Sequence, residues 1–168
     1  MLFVDEFGVH VAMTRTHARA PRGERAGVCE KFERGTKLSV ISAMGLRGVV
    51  APMVIEGSVD QLVFDHYVES FLVPQLRAGD LVMLDNIRFH YSQRAISMIE
   101  AASASVEHLP AYSPDFNPIE GCISKIKAIL RMLKAETEQA LLKALAFALD
   151  QVTASDILGW FRHCGYST

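Results

Sequence analysis

The stretch Leu81-Val82-Met83-Leu84-Asp85-Asn86 constrains this chain most. Four apolar residues run without a break and stop at a carboxylate. A short unbroken apolar run reads as a strand covered on both faces, as in the middle of a partly parallel sheet. Sheets of that kind place their chemistry beyond the carboxyl ends of their strands, and Asp85 stands at such an end. Leu2-Phe3-Val4-Asp5-Glu6 has the same form, apolar residues and then an acid. A third acid, Glu120, follows the turn-rich segment from Tyr112 to Ile119. The rest of the chain is expected to bring Asp5, Asp85 and Glu120 together.

The pattern around these anchors predicts an α/β fold. Met1 to Glu6 and Gly8 to Met13 read as two strands paired through a turn at Phe7-Gly8. Thr14 to Thr36 is basic, rich in glycine and without periodicity, and reads as a long loop. Lys37 to Met44 and Val49 to Ile55 are further strands, the second at an edge or bulge because of Pro52. Ser58 is a candidate N-cap for a helix carrying Val59, Leu62, Val63, Tyr67, Phe71 and Leu72. Tyr91 to Ala102 reads as a helix and Val106 to Leu109 as a short strand. Asn117 is a candidate N-cap with Pro118 at the first helical position. The helix beyond it has Ile119, Ile123, Ile126, Leu130 and Leu133 as a core stripe. Two more helices span Thr137 to Val152 and Ser155 to His163. Strands, then alternating helix and strand, then helices, give a mixed sheet. The helical connection from Ile55 to Leu81 permits the Asp85 strand to lie parallel to the first, with Asp5 and Asp85 ending on the same side of the sheet.

A chain of 168 residues, half of them hydrophobic, is expected to fold as one domain with a substantial core. No apolar run approaches the roughly 20 residues that span a membrane, and Asp5 and Glu6 interrupt any signal sequence. Three widely separated cysteines point to reduced thiols in a cytoplasmic protein, with neither a disulfide frame nor a zinc site. The net charge of −2 is unlike that of a free-standing DNA-binding protein. Two basic runs stand against that average: Arg15, Arg19, Arg22 and Arg25, and Lys125, Lys127, Arg131 and Lys134. Each is a solvated face or a binding surface.

Two carboxylates held close repel, and one protonates unless a cation lies between them. Oxygen-only ligands favour hard ions such as Mg²⁺ or Mn²⁺, and a pair of such ions supports phosphoryl transfer. Taken singly, each acid has a plainer reading. Asp5 can be a strand-end acid, Asp85-Asn86 a turn pair, and Glu120 the third residue of a capping box begun at Asn117. At 100° per residue, Ser124, Lys127 and Arg131 share one flank of the helix with Glu120. Such a basic ridge is either the edge of an amphipathic helix or a track for a phosphate backbone.

Five strings together carry a family resemblance: Val4-Asp5-Glu6-Phe7-Gly8, Ala20-Pro21-Arg22-Gly23, Ala51 to Gly57, Leu84-Asp85-Asn86 with His90, and Leu109 to Glu120 followed by Ser124 to Lys127. The chain resembles the DDE transposases of the mariner-like superfamily, in the bacterial insertion-sequence branch numbered six-thirty, over nearly its whole length. The 34 residues between Asp85 and Glu120 match the spacing of that superfamily. The resemblance implies a ribonuclease H-like fold, a mixed five-stranded sheet flanked by helices, over residues 1–168. It implies Asp5, Asp85 and Glu120 as catalytic residues and as ligands of two Mg²⁺ or Mn²⁺ ions. It implies cleavage of double-stranded DNA at terminal inverted repeats and strand transfer into a TA target, by a homodimer. Arg15, Arg19, Arg22, Asn86, His90, Lys127 and Arg131 are the candidate DNA contacts, Asn86 and His90 serving orientation or phosphate contact, with a packed, hydrogen-bonded residue as the plainer reading of His90.

The sequence departs from the family pattern in three ways. It lacks the helix-turn-helix region that relatives carry, which implies a separately encoded partner segment and the catalytic half alone, acting in the bacterial cytoplasm at the nucleoid. Arg19 stands where relatives often have Trp. Gly121-Cys122-Ile123 replaces a bulkier aromatic pattern after the glutamate. The other readings to separate from a transposase are a nuclease of the same fold that cuts without joining, and a non-catalytic remnant that binds DNA.

Overall fold

A computed structural model of the chain describes residues 1–11, 13, 19–25, 27, 35, 37–111 and 113–167. Five strands form one sheet: β1 (Leu2–His10), β2 (Lys37–Gly45), β3 (Gly48–Glu56), β4 (Leu81–Leu84) and β5 (Ser105–His108), in the order β3-β2-β1-β4-β5. The first three are antiparallel neighbours, and β4 and β5 add on parallel to β1. The helices are α1 (Gln61–Tyr67, continued by a π-helical turn to Leu72), α2 (Gln93–Ala101), α3 (Ile119–Leu133), α4 (Glu138–Asp150) and α5 (Ala154–His163).

Side-chain alternation divides the core. On β1, Phe3, Phe7 and Val9 pack with α3, α4 and α5, while Leu2 and Val4 pack on the opposite face with α1 and α2. The sheet is thus covered on both sides, which is why its central strands carry so few polar residues. Asp5 shares the face of Phe3 and Phe7, and the neighbouring Glu6 points the other way.

The expected hairpin within the first segment does not form. β1 runs unbroken through Phe7 and Gly8, with Phe7 opposite Val40 and Gly8 opposite Ser39. Alternation persists from Leu2 to Val9, and nine residues of β2 offer an uninterrupted partner, so no turn competes. The expected loop from Thr14 to Thr36 lies mostly outside the described residues; Arg19 to Arg25 is exposed, with a turn closed by the Glu24 N–H donating to the Pro21 carbonyl. Pro52 does mark both an edge strand and a bulge, because Ala51 (φ 53°) and Pro52 together oppose Ser42.

Three helical details differ from the pattern reading. Asp60, not Ser58, caps α1, its carboxylate accepting from the Val63 N–H at 2.9 Å. The buried face runs through Phe64, Tyr67, Val68 and Leu72, and Leu62 is 76% exposed. The α3 stripe ends at Leu130, and Leu133 is 47% exposed, because Lys134 turns the chain left-handed at φ 48°. Asn117 does not cap α3 with its side chain; the helix starts after Pro118 without a side-chain cap.

Gly121, in the first turn of α3, lies directly beneath Trp160 of α5, and a Cβ there would stand 2.5–2.7 Å from three atoms of the indole. The aromatic bulk absent from the Gly121-Cys122-Ile123 string is therefore supplied from another helix. Helix propensity favours alanine over glycine by about 1 kcal/mol, yet Gly121→Ala is expected to destabilise the fold by about 1–3 kcal/mol through overpacking. Chemical denaturation followed by circular dichroism, which also serves variants lacking Trp160, the sole tryptophan, measures this. Gly121→Ala combined with Trp160→Leu is expected to recover most of the loss.

Candidate active site

β4 pairs with β1 through Leu2–Val82 and Phe3–Met83. Continuing that register sets Asp5 level with Asp85, one strand apart and on the same face, about 4.8 Å between strands. The third acid comes from the chain that returns after β5. Leu109 bonds back to Leu84 through its N–H (2.8 Å), and the short helical turn Pro114–Phe116 then delivers the chain to α3. Glu120 lies in the first turn of that helix. Asp85, Asn86, Leu109, Pro110, Asn117 and Glu120 are among the walls of a cleft of about 490 Å³. A second cleft of about 380 Å³ lies across Glu120, against Asp115, Gly121, Trp160 and His163.

Asp5 is the most deeply placed of the three, 6% exposed. Its Oδ1 accepts the Glu6 N–H at 2.8 Å, and its Oδ2 accepts from Nδ2 of Asn117 at 2.9 Å. Asn117 thus ties Asp5, midway along β1, to the entrance of α3, across 112 residues of chain. Its own Oδ1 is buried with no partner. The capping box open to Glu120 is not used, since Asn117 spends its amide on Asp5. Asp85 takes two donors on one oxygen: the Ile87 N–H at 3.3 Å and Nδ1 of His90 at 2.5 Å. The first is the turn-type contact foreseen for Asp85-Asn86, so that reading and the site coexist.

Electrostatics mark the place. Burial first, then the charges of Glu6, Glu120 and Asp85, push the Asp5 carboxyl up to about 8. Burial raises Glu6 as well. Buried acids in this arrangement call for a cation. The donors at hand are hard oxygens from Asp5, Asp85 and Glu120, with the orphaned Asn117 Oδ1 nearby, which suits Mg²⁺ or Mn²⁺. Among the described residues no three His, Cys, Asp or Glu side chains already close on a single point. Asp5 and Asp85 instead each hold local donors.

The basic candidates separate. Lys127 places Nζ over the Phe7 ring at 5.7 Å, two residues along β1 from Asp5, and Arg131 is one turn further. Lys125 leaves the ridge, because it pairs with Asp156 at 2.5 Å in the capping box of α5. Arg19 and Arg22 are exposed, and Arg15 lies outside the described residues. Asn86 is exposed at the cleft rim, its Oδ1 accepting from the Tyr91 hydroxyl at 2.6 Å. His90 is corrected: at 0% exposure it reaches no phosphate, and only the orienting half of its expectation is compatible with this burial. The residues not foreseen are Asn117, as the partner of Asp5, and Glu6, as a carboxylate facing the buried histidine; the Asp5-Glu6 pair was visible in the sequence, but strand alternation sends the two to opposite faces.

The model of the DDE superfamily endonuclease family matches residues 1–142. Solved structures with the same fold include the Mos1 strand transfer complex (TM-score 0.71, 17% identity, covering 97% of this chain and 50% of that one). The Mos1 mariner paired-end complex with Mn gives 0.69 at 18% identity, with 97% and 51% covered. The catalytic domain of Mos1 mariner transposase gives 0.66 at 14% identity, with 97% and 74% covered. The chain thus spans about half the length of the Mos1 chains in the two complexes. No curated protein matches it by sequence. At these identities the structures establish the fold: ribonuclease H-like, a mixed five-stranded sheet flanked by helices.

Asp5 gives the site a pH signature. Its folded carboxyl titrates near 8 against 3.8 when exposed, so the folded state holds the proton where the unfolded state has lost it. Its contribution to stability therefore falls as pH rises from about 4 to about 8. Asp5→Asn removes that slope: in metal-free buffer the variant is expected to exceed the parent at pH 8 by at least about 1.4 kcal/mol, one pKa unit's worth, and to show no advantage at pH 4. Urea denaturation at the two pH values checks this.

Proposed function

Since the chain belongs to the DDE superfamily of endonucleases, we propose that residues 1–168 form the catalytic domain of a transposase of the mariner-like superfamily, in its bacterial insertion-sequence branch. The observation that supports the reading is that Asp85, after β4, and Glu120, in the first turn of α3, line one open cleft, and that their charges push up the carboxyl of Asp5 on the neighbouring strand. The proposed reaction cuts double-stranded DNA at terminal inverted repeats and joins the freed 3′-hydroxyl to a TA target.

Asp5, Asp85 and Glu120 are the proposed catalytic residues and the ligands of two Mg²⁺ or Mn²⁺ ions. When bound, the ions supply Lewis-acid assistance to the attacking and departing oxygens. The protein's part is placement. Asn117 and the Glu6 amide hold Asp5 in the sheet; the Ile87 amide and His90 hold Asp85. Lys127 and Arg131 continue from Glu120 along α3 and grip phosphates, with Arg15, Arg19 and Arg22 as further contacts and Asn86 at the rim. Working on two transposon ends calls for a homodimer on DNA, in the bacterial cytoplasm at the nucleoid, with a separately encoded helix-turn-helix segment to read the ends. No helix among the described residues is long and apolar enough to cross a membrane.

Asp85→Ala is expected to abolish Mn²⁺-dependent nicking of terminal-repeat DNA while leaving the thermal unfolding transition in place. Nicking that persists in this variant rules the reading out. Pre-cleaved ends offered with a TA-containing target separate a transposase, which joins them, from a nuclease that only cuts. No metal-dependent cleavage at all marks the non-catalytic remnant. Lys127→Ala and Arg131→Ala are each expected to weaken DNA binding without sequence preference and to lower the salt slope of log K by about 1, measured by fluorescence anisotropy across a salt series.

A further inference from the structure

Glu6 has no assigned task in this chemistry and His90 only its bond to Asp85, yet the fold places the two side by side against it. His90 sits in the short helical turn Arg88–Tyr91, fully buried, with ring centroids 4.5 Å from Phe64 and 4.7 Å from Phe89. Each ring nitrogen faces a carboxylate. Nδ1 is 2.5 Å from Oδ1 of Asp85, and Nε2 is 3.6 Å from Oε2 of Glu6. An ionised carboxylate only accepts, so Nδ1 carries the proton and donates it to Asp85. Nε2 and Oε2 are buried, face each other just beyond hydrogen-bond distance and are each without a hydrogen-bond partner.

The topology gives this row its direction. Asp5 and Asp85 lie on the α3 face of the sheet, and Glu6 lies on the α1 and α2 face with Phe64 and Phe89. Glu6 is therefore not a fourth acid beside the triad. It reaches the site from behind, through the imidazole. The Ile87 N–H falls on the same Oδ1 of Asp85 that His90 holds, so both donors fix one oxygen and neither falls on Oδ2; Asp85 itself lines the cleft.

We propose that His90 and Glu6 are positioning residues: the buried row Glu6–His90–Asp85 fixes Oδ1 of Asp85 so that Oδ2 is presented to a divalent cation shared with Asp5 and Glu120. This deepens the metal-nuclease reading and rests on it. Groups that orient a ligand in this manner typically alter metal affinity by about 10–100-fold when removed.

Two substitutions separate orientation from packing. An asparagine amide superposes on the Nδ1 side of histidine, and a glutamine amide on the Nε2 side. His90→Asn keeps a donor for Asp85, whereas His90→Gln keeps reach toward Glu6 and loses that donor. Mn²⁺ affinity, read by electron paramagnetic resonance of free Mn²⁺, is expected to fall about 10–100-fold in His90→Gln and to stay within about threefold of the parent in His90→Asn. Glu6→Gln, which can donate to Nε2 and preserve the tautomer, retains affinity that Glu6→Ala loses. DNA affinity stays unchanged throughout. In ¹⁵N-labelled protein, the His90 Nδ1–H gives an exchange-protected imidazole resonance that Asp85→Ala removes. Equal loss in His90→Asn and His90→Gln at matched thermal stability shows a packing residue and overturns the proposal, as does absence of the protected resonance from the parent. Parent protein that binds no Mn²⁺ overturns the metal-nuclease reading and this proposal with it; parent binding that His90→Gln leaves intact overturns this proposal alone.

Discussion

Asp5, midway along β1 and nearly sealed from solvent, lies beside Asp85 at the carboxyl end of β4 and feels the charges of Glu120 and of its neighbour Glu6. Like charges brought into a weakly screened interior cost far more than on a surface. The fold meets that cost with neutral donors placed one by one: the Glu6 amide and Asn117 on Asp5, the Ile87 amide and His90 on Asp85. None of these brings a fixed positive charge to the triad. A lysine or arginine in their place would neutralise the acids permanently and leave no field for a cation. Among the described residues the nearest basic groups on α3 are held elsewhere, Lys125 on Asp156 and Lys127 over Phe7. The site is thus kept negative by how its neighbours are spent.

The sheet order makes that crowding possible. A parallel β1–β4 pair sets Asp5, midway along β1, level with Asp85 just past the end of β4 and on the same face. The third acid needs a helix whose first turn points at that place. Leu109 bonding to Leu84, the Pro114–Phe116 turn and Asn117 reaching Asp5 bring α3 there. Gly121 then lets Trp160 lie flat against the same turn. The position of Glu120 accordingly depends on contacts from β1, β5 and α5, elements distant from one another in sequence.

What the sequence made legible was whatever obeys a period or ends a run. The apolar stretch into Asp85, the β1 alternation and the α3 stripe as far as Leu130 could be read because burial on a known face repeats at fixed spacing. The turn invented at Phe7-Gly8 came from reading a glycine as punctuation, when the ladder with β2 continues through it. The α1 face was read partly wrong because packing against the sheet, not the cap, chooses the buried stripe: Phe64 and Val68 join Tyr67 and Leu72 there, and Leu62 faces solvent. The partners Asn117–Asp5 and His90–Glu6 could not be read at all. Each joins residues set by packing in three dimensions, and Asn117 in particular sits where local rules assign a helix cap.

The charge balance bears on how much of DNA recognition this surface can carry. With Lys125 bound to Asp156, the ridge beyond Glu120 presents Lys127 and Arg131. Two phosphate contacts correspond to a salt slope of only about −1.8, well short of the six to ten contacts of a tight duplex binder. The exposed arginines at 19, 22 and 25 add to this, yet the net charge is still −2, so long-range attraction toward a polyanion is weak. On the transposase reading proposed above, two cations on α3 are too few to anchor a duplex, so tight retention of DNA would fall to other basic surface, on a second copy or another segment.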